Sequence, residues 1–166
     1  MRRIQQLLPA DVCVKILEKN TSGVLALAGD DGYPYALPLS YCYADSKIVF
    51  HCALEGHKID AIKQNPKVSF CVIDKDEVIP DEYTTYYRSV IIFGKARILV
   101  DKEEKLAAMK AFAAKYTPDN EKGRLNAIES SFDRMNVVEI SIEHMSGKEA
   151  KELSKRRTAL SKGALD

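Results

Sequence analysis

Between residues 23 and 100 the chain carries five apolar or alternating segments separated by short turn-forming runs, with room for only one brief helix among them. That succession narrows the fold more than any other feature. Parallel neighbours need a crossover of a dozen or more residues, usually helical, whereas antiparallel neighbours need only a turn. The expected architecture is therefore mainly β, an antiparallel barrel with flanking helices rather than a doubly wound sheet.

The segments can be placed individually. Residues 23–28 and 33–43 flank Gly29-Asp30-Asp31-Gly32 and read as a hairpin. Residues 47–53 form a third strand, 68–73 a fourth and 88–100 a long fifth in which Gly94 marks a bulge, with 74–82 as an acidic loop. Alternation returns at 136–143 for a last strand. Pro34 and Pro38 lie inside the second strand, where each removes a ladder donor, so this strand belongs at an edge or a bulge. Two uses of such an edge remain open: protection against pairing, or a surface of free amides and carbonyls for a flat ligand.

Helical spacing occurs at 9–20 through Val12, Ile16 and Leu17. It recurs at 101–117, where acidic residues open a helix with Leu106, Met109, Phe112 and Ala113 on one face and Thr117-Pro118 ends it. Residues 119–134 are weakly helical around Leu125, Ile128 and Phe132. The helix over 101–117 is expected to cover the barrel, and 119–134 leads into the last strand.

A chain of 166 residues with 46% hydrophobic content fits one domain, expected at 1–147. The remainder, 148–166, carries six basic side chains (Lys148, Lys151, Lys155, Arg156, Arg157 and Lys162) without interleaved aromatics and reads as a solvated or frayed helix. A net charge of +1 gives no reason to expect nucleic-acid binding. Cys13, Cys42, Cys52 and Cys71 contain no CxxC pair and read as reduced, structural thiols. No apolar run is long enough for a membrane helix and the N-terminus lacks a signal-like core, so a cytoplasmic protein with no membrane partner is expected.

Candidate chemistry centres on one turn. The third strand runs into Gly56, and the chain leaves through His57 and Lys58 at the start of a helix over 58–64 that Asn65-Pro66 ends. A helix N-terminus offers unpaired N–H groups and partial positive charge, so a cationic pair beside it suits a phosphate or carboxylate. Gly56 would let backbone approach such a ligand closely. The same pair also suits the solvated start of a surface helix. No G-x-S-x-G, phosphate-cradling P-loop or H-E-x-x-H occurs, and the spacing of His51, His57 and His144 defines no metal site.

Three blocks carry a resemblance: Phe50-His51-Cys52-Ala53-Leu54-Glu55-Gly56-His57-Lys58-Ile59-Asp60, then Asn65-Pro66-Lys67-Val68-Ser69-Phe70, then Tyr87-Arg88-Ser89-Val90-Ile91-Ile92-Phe93-Gly94-Lys95-Ala96. In this order, after a proline-containing strand, they resemble the pyridoxamine 5'-phosphate oxidase-like split-barrel flavoproteins. The likeness is strongest to the branch that includes 5-nitroimidazole resistance proteins. It spans roughly residues 1–147.

The resemblance implies a six-stranded antiparallel split β-barrel and a homodimer with FMN at its interface. By that pattern Gly56, His57 and Lys58 grip the phosphate, and Leu37, Pro38 and Leu39 lie beside the isoalloxazine ring. His51, Cys52 and Ala53 stand at the adjacent strand end, and Arg88 and Ser89 face the partner's flavin. It further implies an FMN-dependent oxidoreductase passing electrons to a small acceptor such as a nitroaromatic, with NAD(P)H as a candidate donor. His51 or Tyr87 would supply a proton. One departure is plain: the second strand, Tyr35-Ala36-Leu37-Pro38-Leu39-Ser40, lacks the basic residues of the oxidase branch, which argues against pyridoxamine 5'-phosphate as substrate. The alternative is a non-catalytic module binding flavin or haem, with His51, His57 and His144 as candidate axial ligands.

Overall fold

The computed structural model describes residues 4–163, with side chains through Ala159. The extreme ends of the expected N-terminal segment and basic tail, 1–3 and 164–166, lie outside the described residues. Seven strands appear: β1 (Ser22–Ala28), β2 (Pro34–Ser40), β3 (Cys42–Ala44), β4 (Lys47–Cys52), β5 (Lys67–Ile79), β6 (Thr84–Ile98) and β7 (Asn136–Glu149). They form one antiparallel sheet in the order β2-β1-β5-β6-β7-β4-β3. The two edge strands, β2 and β3, are separated in the chain by Tyr41 alone. The sheet must therefore curl until its edges meet at that corner, which produces a split barrel.

Tyr41 explains why seven strands replace the expected six. Its side chain is fully buried and its hydroxyl donates to the Leu17 carbonyl at 2.9 Å. Its amide is shared between the Thr21 carbonyl and the Tyr116 hydroxyl, at 3.2 and 3.0 Å. Anchored this way, the residue breaks the expected second strand, and the chain changes partner from β1 to β4.

Inside the curl lie Leu25, Ile48, Phe50, Phe70, Val72, Val90, Ile92 and Ile140, all sealed from solvent. At about 1.5–3 kcal/mol per large apolar side chain, this cluster is the main source of stability. Helix α1 (Ala10–Lys19) adds Cys13, Ile16 and Leu17, and α2 (His57–Gln64) adds Ile59, Ala61 and Ile62. Gly94 sits where the β6–β7 register shifts, and a Cβ there would stand 2.2 Å from the Ser141 carbonyl oxygen, so the bulge requires glycine. The two prolines of β2 occupy an edge strand, where the missing amides disturb no inner ladder.

The acidic run expected as a loop over 74–82 is strand through Ile79, and β6 begins at Thr84 rather than Arg88. Its acidic residues pair with aromatic partners, Asp76 with Tyr87 and Glu77 with Tyr86, which carry the β preference that the acidic side lacks. A register shift between Ile73 and Lys75 frees Asp74 to meet Arg88, Lys19 and Asn20.

Likewise β7 runs on to Glu149, beyond the expected end at 143, and α5 (Lys151–Gly163) follows. The tail is helical but not simply solvated: Ala150 and Leu153 bury against Tyr86, and the Ser154 hydroxyl donates to the Gln5 carbonyl. Glu149, fully buried, accepts from Arg88 and Arg157 at 3.1 and 2.8 Å. Helices α3 (Lys102–Tyr116) and α4 (Glu121–Ser131) pack as a pair with Met109, Phe112 and Ile128 inward, below Val49 and Val137. Asp101 caps α3 through the amides of Glu103 and Glu104, and Asn120 caps α4 through Gly123. Among the described residues no helix is long and apolar enough to cross a membrane.

Candidate functional site

The turn after β4 is held from outside: Asn136, opening β7, donates its side-chain amide to the Leu54 carbonyl at 2.9 Å. Beyond it Gly56 takes φ 137°, a conformation that disfavours any side chain, and a Cβ there would meet only open space. The start of α2 has no side-chain cap. The amides of Ile59 and Asp60 turn back to the Gly56 carbonyl, at 2.8 and 3.2 Å, while those of His57 and Lys58 have no acceptor among the described residues. Open space and free amides thus meet at a turn that also carries Lys58, the kind of donor set an anion needs.

The same turn touches the barrel edge. The His57 ring lies 4.5 Å from Tyr35 of β2, and its Nδ1 is 3.6 Å from an Asp30 carboxylate oxygen. Along β2 the side chains of Tyr35, Leu37 and Leu39 point into the core, whereas Ala36, Pro38 and Ser40 face out. Leu37, Pro38 and Leu39 thus lie on the free edge strand, and Pro38 presents its ring outward. Across the split stands the end of β4. His51 is exposed there, its ring edge against Phe112 of α3, and no hydrogen bond to the imidazole occurs among the described residues. Desolvation and the nearby Lys58 charge hold the His51 pKa below its ordinary value. Burial raises that of Cys52, with Lys58 opposing, so this thiol stays protonated at neutral pH.

One chain thus gathers the β2 edge, His51, Cys52, Ala53, Gly56, His57 and Lys58. It does not bring Tyr87, Arg88 or Ser89 to them. Tyr87 lies near one end of β6, whereas His51 pairs with Val137 beside the other; at about 3.3 Å per residue the separation is roughly 35 Å along the strand. Arg88 points inward and is held by Glu149 and by Asp74, at 3.1 and 3.3 Å. Burial pushes the Asp74 carboxyl up, but Asn20, Lys19 and Arg88 outweigh it and hold it below the usual range. Tyr87 and Ser89 share the outer sheet face with Ile91 and Phe93, Lys148 resting over the Tyr87 ring.

That outer face exposes several large apolar side chains. Register aligns Val24, Cys71, Ile91 and Ser146 in one row across four strands, and Ala26, Ser69, Phe93 and His144 in the next. Phe93 is 52% exposed, Ile73 58% and Ile91 39%. Phe93 stacks on His144 at 6.2 Å. Sequence reading missed Phe112, Tyr35 and Asn136 as neighbours of the site, because each arrives from a distant element; Asn136, a polar residue opening an alternating strand, gave the only local hint.

Residues 9–149 match the family model described as pyridoxamine 5'-phosphate oxidase. A solved structure of a FAD-binding protein from Mesorhizobium loti is 33% identical, covering 87% of this chain and 97% of that one, with a TM-score of 0.64. A conserved hypothetical protein from Mycobacterium tuberculosis is 21% identical with a TM-score of 0.77, covering 90% of each chain. A proposed 5-nitroimidazole antibiotic resistance protein from Bacteroides thetaiotaomicron is 19% identical with a TM-score of 0.72, covering 86% of this chain and 85% of that one. No curated protein matches. With its fold, its motif blocks and 9–149 all in agreement, the chain belongs to the pyridoxamine 5'-phosphate oxidase family.

Proposed function

We propose that this protein is a flavoprotein oxidoreductase that binds FMN between two copies of the chain and passes electrons to a small acceptor, a nitroaromatic compound among the candidates. The observation that carries the reading is the convergence at one turn of an unobstructed Gly56, uncapped amides of α2 and Lys58, directly beside the free edge of β2. The FAD-binding description of the Mesorhizobium loti relative supports a flavin. The flavin phosphate is common to FMN and FAD, so the turn suits either.

The fit has one imperfection, the Asp30 carboxylate near His57, which competes with a bound phosphate for that ring. Lys58 and the free amides are not so engaged. Bound flavin would supply the electron transfer itself. The chain's part is to hold the phosphate at Gly56–Lys58, to orient the ring against Leu37, Pro38 and Leu39, and to place the His51 imidazole where it can exchange a proton with the acceptor. His51 is suited to that task because its nitrogens are unclaimed.

The outer face of β1, β5, β6 and β7 is the surface for the second copy. The two rows through Ile91 and Phe93 include no Lys, Arg, Asp or Glu, and Tyr87, Ser89 and Lys148 lie on the same side beyond them. Through that contact Tyr87 and Ser89 reach the partner's flavin, whereas Arg88 points the other way and serves as a positioning residue.

The test is the absorption spectrum of protein purified without added cofactor, followed by titration with FMN and with FAD. Flavin absorption, tighter binding of FMN, and NAD(P)H consumption with an acceptor above the rate for free FMN support the reading. A Soret band, or no binding of either flavin, overturns it.

A further inference from the structure

A second cavity opens beside the same histidine. Helices α3 and α4 and the end of β4 enclose a cleft of about 410 Å³, a volume within the range of small-molecule sites. Its inner walls are Met109, Phe112, Ile128 and Met135, and His51 closes one side. His51 is therefore shared by this cleft and by the flavin-facing end of β4.

The charge in the cleft is one-sided. Arg124 lines it and, among the described residues, no carboxylate does. The guanidinium donates through Nη1 to the carbonyls of Thr117 and Pro118, both at 2.6 Å, which fixes it at the mouth. Its Nε and Nη2 have no partner among the described residues. Elsewhere in the lining, Asn120 accepts from the Gly123 amide and the Ser131 hydroxyl donates to the Ala127 carbonyl. A planar cation with free donors at one end, and aromatic and thioether walls at the other, matches a flat ring carrying a carboxylate.

We infer that the α3–α4 cleft is the acceptor site and that it selects aromatic carboxylates, the ring lying against Phe112 and the methionines beside His51 and the carboxylate on Arg124. This rests on the flavoprotein reading for its role as acceptor site; the binding chemistry stands apart from it.

The probes are 4-nitrobenzoate and its neutral counterpart 4-nitrobenzamide, titrated calorimetrically into the full chain with and without FMN. The carboxylate should bind the more tightly. Arg124→Gln should weaken 4-nitrobenzoate about tenfold or more, the scale of one charge-assisted hydrogen bond, and leave 4-nitrobenzamide unchanged. Arg124→Lys should restore part of the loss, which guards against a hairpin merely loosened by losing the Thr117 and Pro118 contacts. Ala127→Trp, at an exposed lining position, should block both probes while FMN affinity, read by quenching of flavin fluorescence, is unchanged. The inference is overturned if wild-type protein binds neither probe, if Ala127→Trp has no effect, or if Arg124→Gln weakens both probes equally. A chain that takes up 4-nitrobenzoate in an Arg124-dependent manner but no flavin keeps the cleft and overturns the flavoprotein reading. Flavin uptake without probe binding does the reverse.

Discussion

The imidazole of His51 meets the ring of Phe112 edge to face, with centroids 4.9 Å apart and planes at 82°. This contact joins the end of β4 to α3 and removes water from one side of the histidine. Desolvation is the larger cause of its lowered pKa, and Lys58 the smaller. An NMR titration of the full chain should therefore place the His51 midpoint below about 6.5. Phe112→Ala should raise it more than Lys58→Ala does. The folded pKa lies below the unfolded one, so the unfolded chain binds more protons between them. The residue's contribution to stability is then complete above about 6.5 and is lost as pH falls through the folded value. A midpoint above the ordinary value contradicts the assignment.

Lys58 and Lys155 separate a phosphate contact from a remote charge. Lys58→Ala should weaken FMN binding about tenfold to a hundredfold, the scale of a lost charge-assisted bond. Lys155→Ala, on the exposed side of α5, should change it little. Equal effects in a fluorescence titration would remove the phosphate site from the Gly56 turn.

Phe93→Asp places a charge in the middle of the apolar outer face. Because Phe93 is half exposed in the single chain, the substitution should cost the fold less than about 1 kcal/mol. On the proposed interface, sedimentation should show the unaltered chain as a dimer and the variant as a monomer, with flavin affinity falling alongside. An unchanged dimer would move the interface elsewhere.

Glu149→Gln leaves two guanidinium groups facing a neutral amide in a fully buried position. Removing one partner of a buried pair costs about 3–5 kcal/mol. Arg88 and Arg157 retain 29% and 31% exposure, so the loss should fall near the lower end, read as a drop in urea midpoint at constant slope. Asp74 adds a pH signature. Its folded pKa is depressed, so its contribution is present above about 3.9 and disappears as pH falls through the folded value. A chain ended after Ala150 should lose stability through Leu153 and Arg157 but keep its FMN affinity.

Much of the barrel was legible because its evidence is local. Gly29-Asp30-Asp31-Gly32 announces a hairpin, Gly94 its bulge, and Pro34 and Pro38 an edge, and each stands where those residue types require. The acidic run at 74–79 misled because its strand character is supplied by Tyr86 and Tyr87 opposite, a pairing that no local window contains. The tail misled in a similar way: six basic residues suggest solvent, yet Arg157 answers the buried Glu149. At the site, Gly56, His57 and Lys58 were readable as a strand-turn-helix unit. Phe112 and Arg124 were not, since their nearness to His51 depends on how α3 and α4 fold back.

One tyrosine gives these parts a common gauge. The Tyr116 hydroxyl, at the end of α3, accepts from the Tyr41 amide and reaches the Thr21 and Tyr41 carbonyls at 2.6 and 2.9 Å. Tyr41 is the stitch between the two rims of the sheet, so the aperture of the seam is set from the same helix that walls the cleft around Phe112. A ligand that shifted α3 would therefore move the Tyr41 anchor as well, which ties the width of the cleft to the spacing of the β2 rim.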